Sequence, residues 1–430
     1  MLTNGNNRVS GKVMAAIAVL GAGVMGVTTA YYLAKAGREV TVIDRQPEAA
    51  GETSFANAGL IAPGHSNAWA SPRAPMILLR SLWRDDTALR FRLRFDPALW
   101  RWGLQFLANC TTERNRRNTL IKLGLARYSR EQLIALRQAE RIAYDEIVKG
   151  CIYLYRDPVH FETGQRAIGF LKAQGYPFET LDREACVRLD PALAPAKDKF
   201  VGAIYAPQDE SGDCRTFTQN LARICEGLGV TFRYGTTVRG LERKGDRIEA
   251  VVTDRERIAA DQVVIALGSY APQIARDAGI TLPIYPVKGY SLTLPLKDKA
   301  AAPTLGGVDE ANLVAFARMG DRLRLTATAD IAGYDTSHSP KDFATMVKVA
   351  RELFPDAAHY DQPCYWACLR PMTPDGPPIL GATPLANLFL NTGSGHMGFT
   401  MACGSSRLVT DLMLGRKPAI PLDGMTLDGR

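Results

Sequence analysis

One segment near the N-terminus limits the possible folds of this chain more than any other. An apolar run leads into Gly21-x-Gly23-x-x-Gly26, a helical pattern follows, and a second apolar run ends at Asp44. Strand, glycine-rich turn, helix and strand in this order predict a βαβ unit. An acidic residue at the end of the second strand is typical of a dinucleotide-binding site.

The three glycines have separate roles in such a unit. Gly21 permits the tight turn, Gly23 lets the backbone approach a pyrophosphate, and Gly26 lets the helix pack closely on the strand. Val24 and Met25 begin the helix, whose unpaired N–H groups attract phosphate. We therefore predict that this glycine-rich turn, with the two residues that open the helix, binds the cofactor.

Asp44 lies 23 residues after Gly21, the separation expected of an acid that accepts hydrogen bonds from a ribose diol. The alternative is an ordinary α/β turn without a ligand, but the strands, the helix and the acid all agree with a dinucleotide site. The fingerprint alone does not distinguish NAD from FAD.

The composition is that of a soluble globular protein. The chain has 430 residues, of which 46% are hydrophobic and 22% charged, so two domains with large cores are possible. An apolar run at 13–20 loosely resembles a signal peptide, but it is the strand that the fingerprint requires. We expect a cytoplasmic protein with a flexible tail at 1–13. The eight cysteines are scattered, so we predict reduced thiols and no metal site.

The formal net charge of +8 raises the question of an anionic partner. The part of the chain that is richest in basic residues also contains tryptophans. This combination is typical of a membrane interface, where aromatic rings lie among headgroups and cations bind anionic lipid. A solvated helix face with some tryptophans in the core explains the same pattern, and both interpretations stay open. The stretch contains Arg73, Arg80, Arg84, Arg90, Arg92, Arg94, Arg101, Trp69, Trp83, Trp100 and Trp102.

Residues 230–267 favour FAD over NAD. Four apolar stretches follow one another there, and the last of them lacks polar alternation and ends at Gly268. Such a run predicts a β-meander that leads into a strand buried on both faces. A two-part FAD-binding domain continues in this way, whereas a plain NAD-binding domain does not.

Together these motifs resemble the D-amino acid oxidase superfamily of flavoproteins, and within it the small FAD-carrying subunits of bacterial D-amino acid dehydrogenases. The resemblance extends from Met14 to about Pro421, and the segments that carry it include 52–59, 210–223, 286–293, 369–376 and 400–405. It implies an α/β fold with a discontinuous Rossmann-like FAD-binding domain and a mixed-sheet α+β substrate domain. The implied FAD-binding domain comprises 14–70, 208–285 and 366–430, and the implied substrate-binding domain comprises 71–207 and 286–365.

The resemblance also implies a set of further cofactor-binding residues. Arg45 would lie beside the adenine, Val238 would meet it through the backbone, and Gly268 would pass near the pyrophosphate. A second flavin segment and a glycine loop before the last helix complete the set, and the helix start in that loop would stabilise negative charge on reduced flavin. The second segment supplies Ser54, Asn57, Ala58, Gly59 and Leu60, and the loop supplies Gly393, His396, Met397 and Gly398.

For catalysis, an amino acid substrate needs its carboxylate fixed. Arg370 stands where the resembling family places its carboxylate-binding arginine, and a guanidinium pairs with both carboxylate oxygens in a planar fork. Tyr290 and Lys288 are further candidates for the same contact. We interpret His396 as a residue near the cofactor rather than a catalytic one, because a neutral amine needs no general base for hydride transfer.

Two segments depart from the dehydrogenase pattern and leave substrate identity open. Residues 325–330, Leu-Thr-Ala-Thr-Ala-Asp, stand where that pattern usually has a glycine pair followed by Met-Ala-Glu. The glycine loop at 393–398 also differs and carries a histidine just before Met397.

The leading prediction is FAD-dependent oxidative deamination of D-amino acids to 2-oxo acids and ammonia, with electrons passing to a quinone or another carrier. One alternative is an oxidase or dehydrogenase of secondary amino acids such as proline, hydroxyproline or sarcosine. Another is a flavoprotein that modifies nucleic acid, which the tryptophan-rich basic stretch does not favour, and a third is a flavin-binding subunit without turnover. We therefore predict no nucleic-acid partner.

Overall fold

The computed structural model describes residues 16–81, 89–91 and 94–430. The predicted tail at 1–13 and Trp83 lie outside these residues. The described helices are α1 Val24–Lys35, α2 Ala74–Ser81, α3 Pro97–Ala108, α4 Thr112–Glu140, α5 Pro158–Lys172, α6 Arg183–Leu189, α7 Cys214–Gly227, α8 Ala271–Asp277, α9 Ala344–Leu353 and α10 Gly398–Met413.

The described strands come from both halves of the chain. They are β1 Ala16–Leu20, β2 Glu39–Ile43, β3 Leu60–Ile61, β4 Leu89–Phe91, β5 Cys151–Tyr155, β6 Glu179–Asp182, β7 Gly202–Ala206, β8 Glu210–Ser211, β9 Thr231–Arg233, β10 Val238–Lys244, β11 Arg247–Thr253, β12 Arg257–Ala259, β13 Gln262–Ile265, β14 Tyr285–Pro295, β15 Gly306–Asp309, β16 Val314–Met319, β17 Arg322–Ile331, β18 Cys364–Met372, β19 Ile379–Ala382 and β20 Leu388–Thr392.

A six-stranded sheet contains the predicted βαβ unit. Its order is β19-β20-β13-β1-β2-β9, and β1 runs parallel to both β2 and β13. Leu20 at the end of β1 pairs with Ile43 on one side and with Ile265 on the other. The carboxyl ends of these three strands therefore meet at one edge of the sheet, which is where open α/β sheets bind ligands.

A second sheet of nine strands contains most of the remaining chain. Its order is β18-β14-β17-β16-β15-β5-β7-β6, with β4 added beside β17. The pairs β14–β17 and β14–β18 are antiparallel, while β15–β5 is parallel. This mixed sheet, beside the mostly parallel first sheet, confirms the predicted fold class.

The chain crosses between the two sheets more often than the predicted boundaries imply. The boundary at residue 366 falls inside β18, which pairs with β14 of the mixed sheet along its whole length. Helix α4 lies within the range 71–207 but packs on α10 beside the first sheet, where Ser129 Oγ accepts a hydrogen bond from Gly404 N at 2.9 Å. The predicted meander is present in part: β10 and β11 pair antiparallel, with β12 beside them, whereas β9 pairs with β2 in the first sheet.

Candidate active site

A cavity of about 910 Å³ extends from the glycine-rich turn at the end of β1 to the start of α10. Residues of both large sheets line it, as do residues of α2 and α3. Sites for extended organic cofactors are typically concave and largely preformed.

The glycine-rich turn has the geometry that its spacing predicts. Gly21 has a φ of +104°, in the region that favours glycine. A Cβ on Gly26 would collide with the carbonyl of Gly21, so only glycine allows helix and turn to approach this closely. Gly23 caps α1 without any side-chain hydrogen bond, although Ser54 Oγ accepts one from Val24 N at 3.0 Å. This helix start is open to an anion.

Asp44 lies at the edge of the cavity as the ribose interpretation requires. Its two oxygens accept hydrogen bonds from the backbone N–H of Ala22 at 2.6 Å and of Gln46 at 2.7 Å. Burial raises the pKa of Asp44, and these two hydrogen bonds oppose that shift. The carboxylate is thus held rigidly beside Gly21, with accepting capacity left for a diol.

Two residues that the sequence did not single out position Arg45. Glu52 accepts a hydrogen bond from Arg45 Nε at 2.5 Å, and the guanidinium lies 4.0 Å from the centre of the Tyr270 ring. Both partners line the cavity with Val238 and Gly268. Glu52 opens the segment 52–59 that carried the family resemblance, so a signal for it was available.

The cavity lining contains most of the predicted cofactor residues. The residues found there are Gly21, Gly23, Val24, Met25, Asp44, Arg45, Ser54, Asn57, Ala58, Gly59, Leu60, Val238, Gly268, His396, Met397 and Gly398. Gly26 and Gly393 lie just behind the lining; Gly393 has a φ of +75° and shapes the loop that leads to α10. The set therefore converges on one cavity from four separate parts of the chain.

The far end of this cavity is a second open helix start. Met397 caps α10 without a side-chain hydrogen bond, and the first turn carries no acidic residue. The cavity has an uncapped helix start at each end, with Asp44 beside the first. This arrangement fits an extended dinucleotide whose pyrophosphate is negatively charged and whose flavin ring becomes so on reduction. The residues present therefore fit FAD.

Arg370 projects into the cavity from β18. Its Nη1 donates to the carbonyl of Thr328 at 2.8 Å. Burial lowers the pKa of Arg370, and Cys368 is the one titratable group in the described part of the chain that opposes the shift. A buried guanidinium with this little compensation is prepared for an anionic ligand.

An irregularity in β17 places the carbonyl that holds Arg370. The register between β14 and β17 shifts at Lys288 and Tyr290, and Thr328 opposite the shift has a φ of +63°. A left-handed conformation costs a non-glycine residue about 1–2 kcal/mol. Such bulges redirect groups beside active sites, and here the redirected group is the Thr328 carbonyl.

Lys288 does not line this cavity. Its ammonium is buried in a separate polar cluster, where it donates to Ser337 O at 2.9 Å and lies 3.4 Å from Asp335. Tyr290 does line the cavity, but its hydroxyl donates to Asp330 at 3.0 Å. Side chains alternate along β14, so the polar groups of Lys288 and Tyr290 both point into the mixed-sheet domain. Of the three predicted carboxylate ligands, only Arg370 presents a charged group to the cavity.

The sequence left open whether the tryptophans of the basic stretch lie at a membrane interface or in the core, and the structure shows both buried and exposed ones. Trp69 stacks on His396 with ring centres 5.1 Å apart, and buried Trp102 donates from Nε1 to Met372 O at 2.8 Å. Both line the cavity, so neither is a surface residue of the basic stretch. Trp100 on α3 is half exposed.

His396 is electrically neutral at the cavity wall. Burial lowers its pKa well below the ordinary value, and the positive charges of Lys122, His65 and Arg370 act in the same direction. Sequence reasoning identified His396 but missed Trp69, His65 and Lys122, because their positions depend on how α4 and the chain before α2 pack around the glycine loop.

Both large sheets line this cavity, which has the glycine-rich βαβ unit at one end and Arg370 at the other. This arrangement is typical of a dinucleotide-dependent oxidoreductase with two domains. The model of the family described as FAD dependent oxidoreductase (DAO) matches residues 16–412. The chain belongs to this family, and its cofactor is FAD.

Sequence relatives cover nearly the whole chain. D-amino acid dehydrogenase 2 of Mesorhizobium japonicum is 47% identical over 414 residues, which is 96% of this chain and 100% of the relative. D-amino acid dehydrogenase of Methylobacterium radiotolerans is 48% identical over 412 residues, covering 96% and 98%. The resemblance to these dehydrogenases expected from the motifs is thereby confirmed.

Among solved structures, glycine oxidase from Geobacillus kaustophilus superposes with a TM-score of 0.74 at 22% identity and covers 97% of this chain and 99% of its own. L-proline dehydrogenase from P. horikoshii superposes with a TM-score of 0.72 at 19% identity, covering 96% and 97%. At these identities the likeness concerns the fold alone.

Proposed function

We propose that this oxidoreductase oxidises D-amino acids to imino acids, which hydrolyse to 2-oxo acids and ammonia. The observation that carries the proposal is the partly buried guanidinium of Arg370, whose charge only backbone carbonyls and Cys368 offset in the described part of the chain. It lies in the same cavity as the predicted flavin-binding residues. The dehydrogenase names of relatives at 47% and 48% identity support the same substrate class.

Bound FAD supplies the two-electron chemistry, and the chain supplies position and charge. Arg370 pairs with the substrate carboxylate and thereby fixes the α-carbon in the cavity. His396, which is neutral, and the Trp69 ring stacked on it form an uncharged part of the cavity wall. The amine enters unprotonated, so its lone pair stabilises the cation that forms as hydride leaves, and no side chain needs to act as a base.

Apolar residues form the wall that faces the substrate side chain. Ala74, Leu78, Trp102, Phe106 and Ile331 line this end of the cavity. They favour an uncharged side chain over a charged one. Cyclic secondary amino acids such as proline fit the same wall, so both substrate groups belong in one screen.

The experiment is anaerobic mixing of the purified holoprotein with D-alanine, D-proline and sarcosine. Bleaching of the flavin by D-alanine supports the proposal, while bleaching by sarcosine or proline alone moves the substrate to the secondary amines. A parallel reaction with oxygen or with a quinone analogue identifies the acceptor, because only an oxidase produces peroxide.

We infer that the protein also contacts an anionic membrane surface through α2 and α3. In α3, Leu99, Trp102 and Phe106 face the interior, while Trp100, Leu104 and Leu107 form a second, exposed apolar face. The exposed residues recur at a spacing of four and three, as one side of a helix requires. Leu104 is 69% exposed.

Helix α2 packs in the same apolar cluster as α3 and carries exposed apolar residues of its own. Met76 and Leu79 of α2, together with the fully exposed Phe95, are further large apolar residues outside the cavity. Exposed Arg73, Arg94 and Arg101 adjoin them. Apolar anchors among cations match the interfacial region of an anionic bilayer, and within the described ranges no helix has the length and apolarity needed to cross one.

Flotation with vesicles tests this contact. The double variant Trp100→Glu, Leu104→Glu is expected to lose binding to vesicles of anionic lipid while retaining FAD. Exposed apolar residues elsewhere provide the matched control, Val159→Glu with Leu228→Glu. Equal binding of the two double variants contradicts the contact, whereas retention on RNA instead of lipid would indicate the nucleic-acid alternative.

A further inference from the structure

Lys122 is a buried cation that the chemistry above does not use. It lies on α4, is 2% exposed, and donates from Nζ to the carbonyl of Asn67 at 3.0 Å. In the part of the chain that the structure describes, burial is the single influence on its titration, and it lowers the pKa of Lys122 to about 7. The ammonium therefore changes charge near neutral pH.

A small void separates Lys122 from the flavin end of the large cavity. Its volume is about 10 Å³, and Lys122, Thr373, Gly395 and His396 are among the residues that line it. A void of this size has room for about one water molecule, and Lys122, Thr373 and His396 are the polar side chains at its otherwise mainly apolar wall. His396 Nε2 is buried without a hydrogen-bond partner among the described residues. A water in the void would complete the hydrogen bonding of the histidine and the lysine together.

His396 also connects this void with the outside. Its ring meets the ring of His65 edge to face, with centres 6.2 Å apart. His65 Nε2 lies 3.7 Å from Glu310, and the His65 side chain is 41% exposed. The groups whose charges act on His396 are Lys122, His65 and Arg370, all of which disfavour a proton on it. A proton is therefore more stable on Lys122 than on His396.

We propose that Lys122 takes up a proton when the bound FAD is reduced, and that His396 and a water in the small void conduct this proton from His65. The loop that carries His396 leads directly into the open helix start at the flavin end of the cavity. Negative charge on the reduced ring favours a protonated ammonium nearby. Hydride transfer brings two electrons and one proton to the flavin; a second proton from solvent forms an N–H bond at the lone pair of Lys122.

The proposal concerns the cofactor and is independent of the substrate. Its test is the midpoint potential of the holoprotein measured by spectroelectrochemistry between pH 6 and pH 9. Each proton taken up with two electrons lowers the potential by about 30 mV per pH unit. The wild-type slope is expected to change from about 30 mV per pH unit below neutral pH to about 60 mV above it.

Three variants identify the group responsible. Lys122→Met removes the titrating amine and is expected to give about 30 mV per pH unit throughout. Lys122→Arg stays charged, so it also gives an unbroken line, but at a higher potential than the methionine variant. Lys172→Met removes an exposed lysine and keeps the wild-type bend.

Either of two results overturns the proposal. One is a wild-type line without a bend, and the other is a bend that persists in Lys122→Met or in Lys122→Arg. If the methionine variant fails to retain FAD, the wild-type and arginine profiles decide the question between them.

Discussion

The guanidinium of Arg370 occupies the space over Gly289 that the Cβ of any other residue would fill. The two residues lie on neighbouring strands, β18 and β14, and Arg370 pairs with Val287 in the antiparallel ladder. A glycine on one strand thus provides the room in which the arginine of the other reaches the carbonyl of Thr328. Gly289 therefore belongs to the proposed carboxylate site although it carries no side chain.

Replacing Gly289 with alanine is expected to displace the guanidinium rather than unfold the protein, because a flexible side-chain end moves at little cost. The hydrogen bond to Thr328 is then lost, and substrate KM rises by about tenfold, the equivalent of one hydrogen bond to a charged group. Steady-state kinetics and a thermal melt check this. An unchanged KM would show that Arg370 does not depend on this space.

Arg370→Met separates function from stability. Removing a charge-assisted pair with the carboxylate costs about 3 kcal/mol of transition-state binding, or a loss of about a hundredfold in kcat/KM. No acidic side chain in the described part of the chain contributes to the pKa shift of Arg370, so the variant should melt at or above the wild-type temperature. A clear fall in Tm would mean that Arg370 serves the fold instead.

Asp44→Asn tests the ribose contact. The asparagine keeps one acceptor oxygen for a backbone N–H but loses the charge, so the Kd for FAD is expected to rise by about tenfold or more. Fluorescence titration of the cofactor-free protein measures it. Asp356→Asn, at an exposed position, is the matched control, and equal affinity in both variants would remove Asp44 from the site.

The cofactor-free protein should become more stable with rising pH because of Lys122. Its pKa is lowered from 10.5 to about 7 in the folded chain, so between these values the unfolded chain binds more protons and stability rises with pH. Lys122→Met should therefore raise Tm most at pH 6 and least at pH 9. A Tm difference that does not change with pH would contradict the buried titration.

The sequence determined those parts of the fold whose signals are local. Strand β1, helix α1 and strand β2 were predicted from a periodicity that lies within one short segment, and so were the glycines that shape their turn. The start of α5 is also marked locally, because Asp157 caps the helix and Pro158 opens its first turn. Family resemblance then supplied the cofactor segments that no local pattern identifies.

Features that depend on contacts between distant segments were not accessible in this way. The bulge at Thr328 arises only from the pairing of β14 with β17. Without knowledge of that pairing, the sequence could not predict that the Tyr290 hydroxyl bonds to Asp330 or that the Lys288 ammonium bonds to Ser337. The local sequence around Lys122 gives no sign of its burial, because that burial results from packing against the loop 373–376 and His396.

The most direct test of the proposed function is rapid anaerobic mixing of the holoprotein with the two enantiomers of alanine. We expect D-alanine to bleach the flavin absorbance and L-alanine to leave it unchanged, and we expect Arg370→Met to respond to D-alanine only at much higher concentration. Flavin that dithionite reduces but that no D-amino acid bleaches would contradict the proposed function.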